Sequence, residues 1–220
     1  MSQATVHLLR HGEVFNPDGV LYGRLPEFHL SDRGVAMAVR LAEHFRALAD
    51  DGATMAYLAA SPLTRAQETA QPSATALGLD LNTDERLIEA QNHFEGLKVS
   101  ASELLKPKYW RYFRNPFLPS WGEPYREQVA RMRLAIDAAR LEALERGGDG
   151  AQAILVSHQL PIWVTHLSLQ KRQLFHDPRA RECTLASLTT INFEGSEVTG
   201  VRYSEPAAAL LPGAASTPGA

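Results

Sequence analysis

Thr5-Val6-His7-Leu8-Leu9-Arg10-His11-Gly12-Glu13 decides the fold and most of the chemistry of this chain. Residues 6–9 are a short apolar run that reads as a buried strand, and the run feeds directly into Arg10-His11-Gly12. A histidine at the C-terminal end of such a strand stands where open α/β sheets bind ligands. Arg10 adds a permanent cation whose donor fork suits phosphate oxygens. Gly12 lets the backbone turn sharply and come close to a ligand. A bare tripeptide carries little weight by itself; three further segments give it meaning.

Strand and helix signals alternate outward from this corner. Ser31 is the expected N-cap of a helix whose apolar spacing runs over 35–49 until Asp50-Asp51-Gly52 stops it. Residues 55–60 read as a second strand. Ser61-Pro62 is expected to open the next helix, with Ser61 as cap and Pro62 in the first turn, ending near Leu77-Gly78. A brief third strand is expected at 79–82. The stretch 85–122 is rich in aromatics and prolines, including Tyr109, Trp110, Tyr112, Phe113, Phe117 and Trp121, and reads as an inserted cap of short helices and loops. A long helix over 123–145, a strand at 153–156, a helix with Pro161 in its first turn and a hairpin of 184–193 with 197–203 complete the pattern. The Ala-, Pro- and Gly-rich stretch 204–220 reads as a disordered tail. The expected fold is therefore an α/β three-layer α/β/α sandwich: one domain over 1–203, a mostly parallel central sheet and a small helical/loop cap inserted at about 85–122.

The second chemical segment is Ser61-Pro62-Leu63-Thr64-Arg65-Ala66-Gln67-Glu68-Thr69-Ala70, which begins where a strand ends. It brings Arg65 into the first turn of a helix at the same sheet edge as His11. The third, Leu155-Val156-Ser157-His158, repeats the topology of His11. Two arginines, two histidines and two helix N-termini then converge, an arrangement that repels itself unless a polyanion such as a phosphate dianion neutralises it. The fourth, Glu85-Arg86-Leu87-Ile88-Glu89, can bring a carboxyl group over that site as a proton source, with Glu13, Glu85, Glu89 and Glu95 as the alternatives.

In this order, these segments closely resemble the histidine phosphatase superfamily, in its phosphoglycerate-mutase-like branch, over about residues 4–203. The resemblance implies that His11 is the nucleophile that becomes phosphorylated. It also implies that Arg10, Arg65 and His158 hold the phosphate, and that Glu89 is the acid. Asn16 and Gln159 join the substrate-binding set. Three positions depart from the family pattern. Pro17 stands where an asparagine is common, with Asn16 just before it. Gln159 replaces the usual glycine after the second histidine. The interval from Glu89 to Glu95-Gly96 is one residue short.

The expected activity is metal-independent phosphomonoester hydrolysis through phosphohistidine on His11, without a cofactor. His11 needs a lowered pKa, supplied by its cationic neighbours, and Glu89 a raised one beside the bound phosphate. A cofactor-dependent phosphoglycerate mutase is the alternative, and a non-catalytic phosphoester binder a weaker one. Such mutases typically have an arginine after the catalytic glutamate, whereas Ala90 stands here, and Gly122-Glu123-Pro124-Tyr125 only partly echoes the mutase Gly-Glu-Ser pattern. Tyr22, Arg24, His93 and Tyr125 are pocket candidates without an assigned role. His7, His29, His44, His93, His166 and His176 lack metal-ligand spacing.

The bulk numbers fit a soluble cytoplasmic enzyme. A chain of 220 residues with 45% hydrophobic content and a net charge of −3 can bury one sizeable core, without the basic footprint of nucleic-acid or anionic-membrane binding. Cys183 is the single cysteine, and the start of the chain lacks the basic and apolar regions of a secretory leader. The expected partner is a small-molecule phosphomonoester; homodimerisation is left open.

Overall fold

Two faces of one sheet organise the chain, and the alternation of residues along the central strands shows why. Ala153 and Leu155 point into one apolar cluster, Ile154 and Val156 into the other. The computed structural model describes residues 1–98, 110 and 122–215. Its elements are β1 (Gln3–Arg10), α1 (Asp32–Asp50), β2 (Met55–Ala60), α2 (Thr64–Leu77), β3 (Asn82–Thr83), α3 (Tyr125–Gly147), β4 (Gln152–Ser157), α4 (Gln159–Leu169), β5 (Leu188–Glu194) and β6 (Glu197–Ser204), with 3₁₀ turns at Glu85–Leu87, Pro178–Ala180 and Ala208–Leu210.

The strands form one six-stranded sheet in the order β3-β2-β4-β1-β5-β6. β3, β2, β4 and β1 are parallel, and β5 and β6 add an antiparallel edge. Helices α1 and α2 cover one face through Met37, Leu41, Phe45, Ala66, Ala70 and Ala74. Helices α3 and α4 cover the other through Met132, Ala135, Ile136, Ala139 and Ile162. The three-layer α/β/α sandwich with a mostly parallel sheet is what the alternating sequence signals imply. Among the described residues no helix is long and apolar enough to cross a membrane.

Several local expectations need correction. Ser61 does not cap α2: the helix starts at Thr64 after Leu63, and the Ser61 side chain turns instead to His158. Pro72 lies inside α2. The third strand is only Asn82–Thr83, and β5 begins at Leu188 rather than at 184. The segment expected as a tail from 204 packs on the protein as far as residue 215. Ala207 is buried in the α1–α2 core, Leu210, Leu211 and Ala214 lie against it, and the Ala215 amide donates to Glu13 Oε1 at 2.6 Å. The few leucines and alanines bury enough apolar surface to hold a segment that composition alone reads as loose. Of the expected cap, 99–109 and 111–121 lie outside the described residues, including Tyr109, Tyr112, Phe113, Phe117 and Trp121.

Ser31 does cap α1, accepting from the Gly34 amide at 3.0 Å, and Gly78 ends α2 in the left-handed conformation that glycine adopts without strain. Gly12 also serves packing. A Cβ at this position would lie 2.7 Å from the Gly34 carbonyl oxygen, so glycine lets the corner after β1 pack backbone to backbone on the first turn of α1.

Candidate active site

The C-terminal ends of β1, β4 and β2 lie side by side, and the backbone continues their pairing into the site. Arg10 is in register with Ser157, the His11 amide donates to the Ser157 carbonyl at 3.2 Å, and the Ser61 amide donates to the Val156 carbonyl at 2.9 Å. His11, His158 and Ser61 are therefore neighbours at one edge. The two imidazole rings are 5.2 Å apart between centroids. The His11 Nδ1 lies 2.8 Å from the Gly12 carbonyl, which can only accept, so the proton of the neutral ring belongs on Nδ1. That leaves the Nε2 lone pair uncommitted; this buried atom has no hydrogen-bond partner among the described residues.

His158 is oriented by Ser61. The Leu63 amide donates to Ser61 Oγ at 3.4 Å, and Ser61 Oγ lies 2.8 Å from His158 Nε2. When Ser61 donates to that nitrogen, the remaining proton is on Nδ1, a buried atom with no other partner among the described residues. The neutral ring can then donate Nδ1–H to a bound oxyanion.

The arginines complete the basin. Arg65, in the first turn of α2, is buried, donates to the Gly23 carbonyl and lies 4.7 Å above the Tyr22 ring. Arg10 is fully buried and its Nη1 donates to the Cys183 carbonyl at 2.7 Å. Thr69 fixes the corner between them, accepting from the Gly12 amide at 3.0 Å while donating to the Arg65 carbonyl at 2.7 Å.

Of the four carboxylates considered, Glu89 is the one enclosed within reach of these charges. It is 4% exposed, and its Oε1 accepts from the Ala90 amide at 2.7 Å. Glu13 is engaged with Ser31 and the Ala215 amide, Glu85 is exposed, and Glu95 accepts from the Arg24 and Asn92 amides.

Residues 6–206 match the histidine phosphatase superfamily (branch 1). The chain belongs to that superfamily. It is 48% identical over 208 residues, covering 94% of this chain and 98% of the other, to Rv0525, an uncharacterized protein of Mycobacterium tuberculosis. Solved structures with the same fold include the mycobacterial glucosyl-3-phosphoglycerate phosphatase Rv2419c, at TM-score 0.69 and 24% identity with 92% and 96% of the two chains covered. The phosphoglycerate mutase of Bacillus anthracis aligns at TM-score 0.67 and 22% identity, with 93% and 94% covered.

The electrostatics of this histidine phosphatase site follow from burial among cations. His11 is held well below the ordinary histidine range, first by desolvation and then by Arg65 and Arg10. His158 is lowered in the same way, by desolvation, then Arg65 and His11. Both rings are therefore neutral at neutral pH. Glu89 is raised above the usual carboxylate value by burial, against the opposing pull of the Ala90 amide, Arg65, Arg10 and Arg131. Burial is the first cause of this rise, and a bound phosphate dianion would act in the same direction.

The departures from the family pattern resolve differently. Asn16 closes its own loop, donating to the Val20 carbonyl at 2.8 Å and accepting from the Val20 amide at 3.2 Å. Gln159 turns to the Cys183 carbonyl, donating at 3.2 Å to the same oxygen that Arg10 holds. Several residues at the site had no assigned role in the sequence. Arg24 Nε donates to the Glu89 carbonyl at 2.7 Å and its Nη2 pairs with Glu123 at 2.8 Å; Arg131 grips the same carboxylate from α3 at 2.7 Å. Arg181, in the loop before β5, donates to Gln159 Oε1 at 3.2 Å and to His176 Nε2 at 2.9 Å. No local motif marks these residues, because each reaches the site from a distant part of the chain.

Proposed function

We propose that this protein is a phosphomonoester hydrolase that works through a phosphohistidine on His11, with Glu89 as proton donor. The observation that carries this reading is the neutral His11 ring: Nδ1 is committed to the Gly12 carbonyl and Nε2 opens into a basin of Arg10, Arg65 and His158. In the first step the Nε2 lone pair forms a bond to phosphorus as the ester P–O bond breaks, and Glu89 gives its proton to the departing alkoxide. Arg10, Arg65 and the His158 Nδ1–H hold the oxygens of the transferring group, where charge spreads in the transition state. In the second step the Glu89 carboxylate takes a proton from water, the oxygen attacks phosphorus, and inorganic phosphate leaves as the N–P bond breaks.

Two observations favour hydrolysis over phosphoryl transfer within a phosphoglycerate. Ala90 is buried directly after Glu89, so no cation follows the acid. The nearby Arg24 and Arg131 are both engaged by the Glu123 carboxylate, and Arg24 also by the Glu89 carbonyl, so their donors are committed within the protein. The full set of His11, His158, Arg10, Arg65 and Glu89 also argues against a binder without chemistry.

Wild type and His11→Ala, incubated with p-nitrophenyl phosphate and 3-phosphoglycerate in chelator from mildly acidic to neutral pH, test the assignment. Phosphate release by the wild type and none by the variant is expected. Isomerisation of phosphoglycerate without release would replace hydrolase by mutase. Equal release by both proteins would remove His11 from the mechanism.

A further inference from the structure

Glu89 lies in a segment that is neither helix nor strand, and side chains from distant parts of the chain hold its backbone. A 3₁₀ turn over Glu85–Leu87 precedes it, and Ile88 leaves that turn with an extended backbone. From α3, Arg131 Nη1 donates to the Arg86 carbonyl at 2.6 Å. At the end of β4, Ser157 Oγ donates to the Leu87 carbonyl at 2.7 Å. From the loop after β1, Arg24 Nε donates to the Glu89 carbonyl at 2.7 Å. The Leu87 side chain is fully buried in the core beneath. The carbonyls on both sides of Ile88 are thus fixed from outside the segment.

Two of these donors are arginines, and one carboxylate joins them. Glu123 Oε2 pairs with Arg24 Nη2 at 2.8 Å, while Arg131 meets both oxygens, Nε to Oε1 at 2.7 Å and Nη2 to Oε2 at 3.0 Å. The backbone of Glu123 is anchored as well. Its amide donates to the Gln91 carbonyl at 3.0 Å, and its carbonyl accepts from Gln128 Nε2 at 2.8 Å. A Cβ on Gly122 would collide with that Gln91 carbonyl, so glycine lets the chain before Glu123 pack on the chain just after Glu89. The loop that supplies Arg24 also reaches the anion basin, because the Gly23 carbonyl accepts from Arg65.

Charge explains why a carboxylate belongs here. Arg10 on β1, Arg65 on α2 and Arg131 on α3 all act on Glu89 and favour its ionised form, the wrong one for an acid. Tyr22 from the loop after β1, and Arg181 and Cys183 from the loop before β5, interact with it too. Glu123 sets a negative charge against Arg131 and Arg24, so both can hold the backbone without adding their full charge to that field.

We propose that Glu123 is a positioning residue for the general acid: through Arg24 and Arg131 it fixes the backbone that presents Glu89, and it offsets the charge of both arginines. The proposal rests on the hydrolase reading, in which Glu89 protonates the leaving group, and adds the residue that governs that group.

The test compares two esters that differ in their need for a proton. Phenyl phosphate needs one on its leaving oxygen far more than p-nitrophenyl phosphate does. In Glu123→Gln the loss of kcat/KM should be at least about 10-fold larger for phenyl phosphate than for p-nitrophenyl phosphate, within the range that general acid catalysis supplies. In a Glu89→Gln background the same substitution should change the phenyl phosphate value by less than about 2-fold, because the group through which it acts is gone. Arg24→Lys is a milder change at a half-buried residue: it keeps the charge but not the fork that spans Glu123 and the Glu89 carbonyl, and should give the same split in smaller measure. Equal losses on both esters in these variants, or additive losses with Glu89→Gln, overturn the proposal. Apart from turnover, the Glu89 carboxyl carbon, followed by NMR and assigned with Glu89→Gln, should titrate at lower pH in Glu123→Gln, since two cations then lose their counter-charge. An unmoved midpoint overturns the proposal as well. Wild-type silence on both esters would sink the hydrolase reading instead, and the Glu89 midpoint alone would then decide whether Glu123 governs that carboxyl group.

Discussion

Replacing His7 by glutamine should flatten the loss of stability of this protein in acid. His7 lies on β1, three residues before Arg10, and is 4% exposed. Its ring bridges Thr190 Oγ1 at 3.0 Å and Gln152 Oε1 at 2.8 Å, with the Phe45 ring 5.5 Å away. Burial lowers its pKa from 6.5 to about 4, with His44 and Arg202 pushing the same way and the Gln152 contact opposing them. The folded state therefore prefers the neutral ring, while the unfolded chain takes up a proton as pH falls below 6.5. Stability is full above that value and declines until the folded ring also protonates near pH 4. The difference between the two values corresponds to roughly 3 kcal/mol over the whole window. Between pH 7 and pH 5 it amounts to about 2 kcal/mol.

Urea unfolding of wild type and His7→Gln at pH 7, 6 and 5 measures this contribution. His11 and His158 titrate in the same direction in both proteins, so the difference in slope isolates His7. The variant should lose about 2 kcal/mol less than the wild type on going to pH 5. Parallel curves would refute the reasoning. The consequence reaches function, since β1 carries Arg10 and leads into His11.

Three further outcomes are expected. Glu89→Gln should lower kcat/KM for alkyl phosphates by about 10²–10⁴-fold but for p-nitrophenyl phosphate far less, because nitrophenolate leaves without a proton; in the wild type, alkyl phosphate turnover should decline as pH rises through the raised Glu89 pKa, and equal losses on both esters would point to another acid. Arg65→Met should reduce kcat/KM by at least about 10-fold, the size of one lost charge-assisted hydrogen bond, and should shift the acid limb of the pH profile upward, since Arg65 helps to lower both His11 and His158; an unmoved limb would show that burial alone sets those values. Gly12→Ala should cost about 1–3 kcal/mol in thermal unfolding, because its Cβ meets the Gly34 carbonyl rather than a flexible side chain, and an unchanged Tm would contradict the backbone contact.

The sequence by itself determined the layer architecture and the four-residue basin. The apolar run of β1, the alternation in β4 and the caps at Ser31 and Gly78 are local signals, and each strand end carries its own chemical residue. Once the strands are parallel neighbours, Arg10, His11, Arg65 and His158 must meet at one edge. Tertiary structure decided what depends on contacts between distant segments. Ser61 reads as a helix cap until β4 brings His158 beside it. The four candidate carboxylates are equivalent as letters, and only packing shows that Glu89 is enclosed while Glu13 is tied to Ser31 and residue 215. Residues 205–215 are dismissed by composition but held by a core contributed by α1 and α2. Periodicity and capping act within a few residues and are legible along the chain; burial, charge balance and hydrogen-bond partners are set across gaps of a hundred residues or so, and exist only after folding.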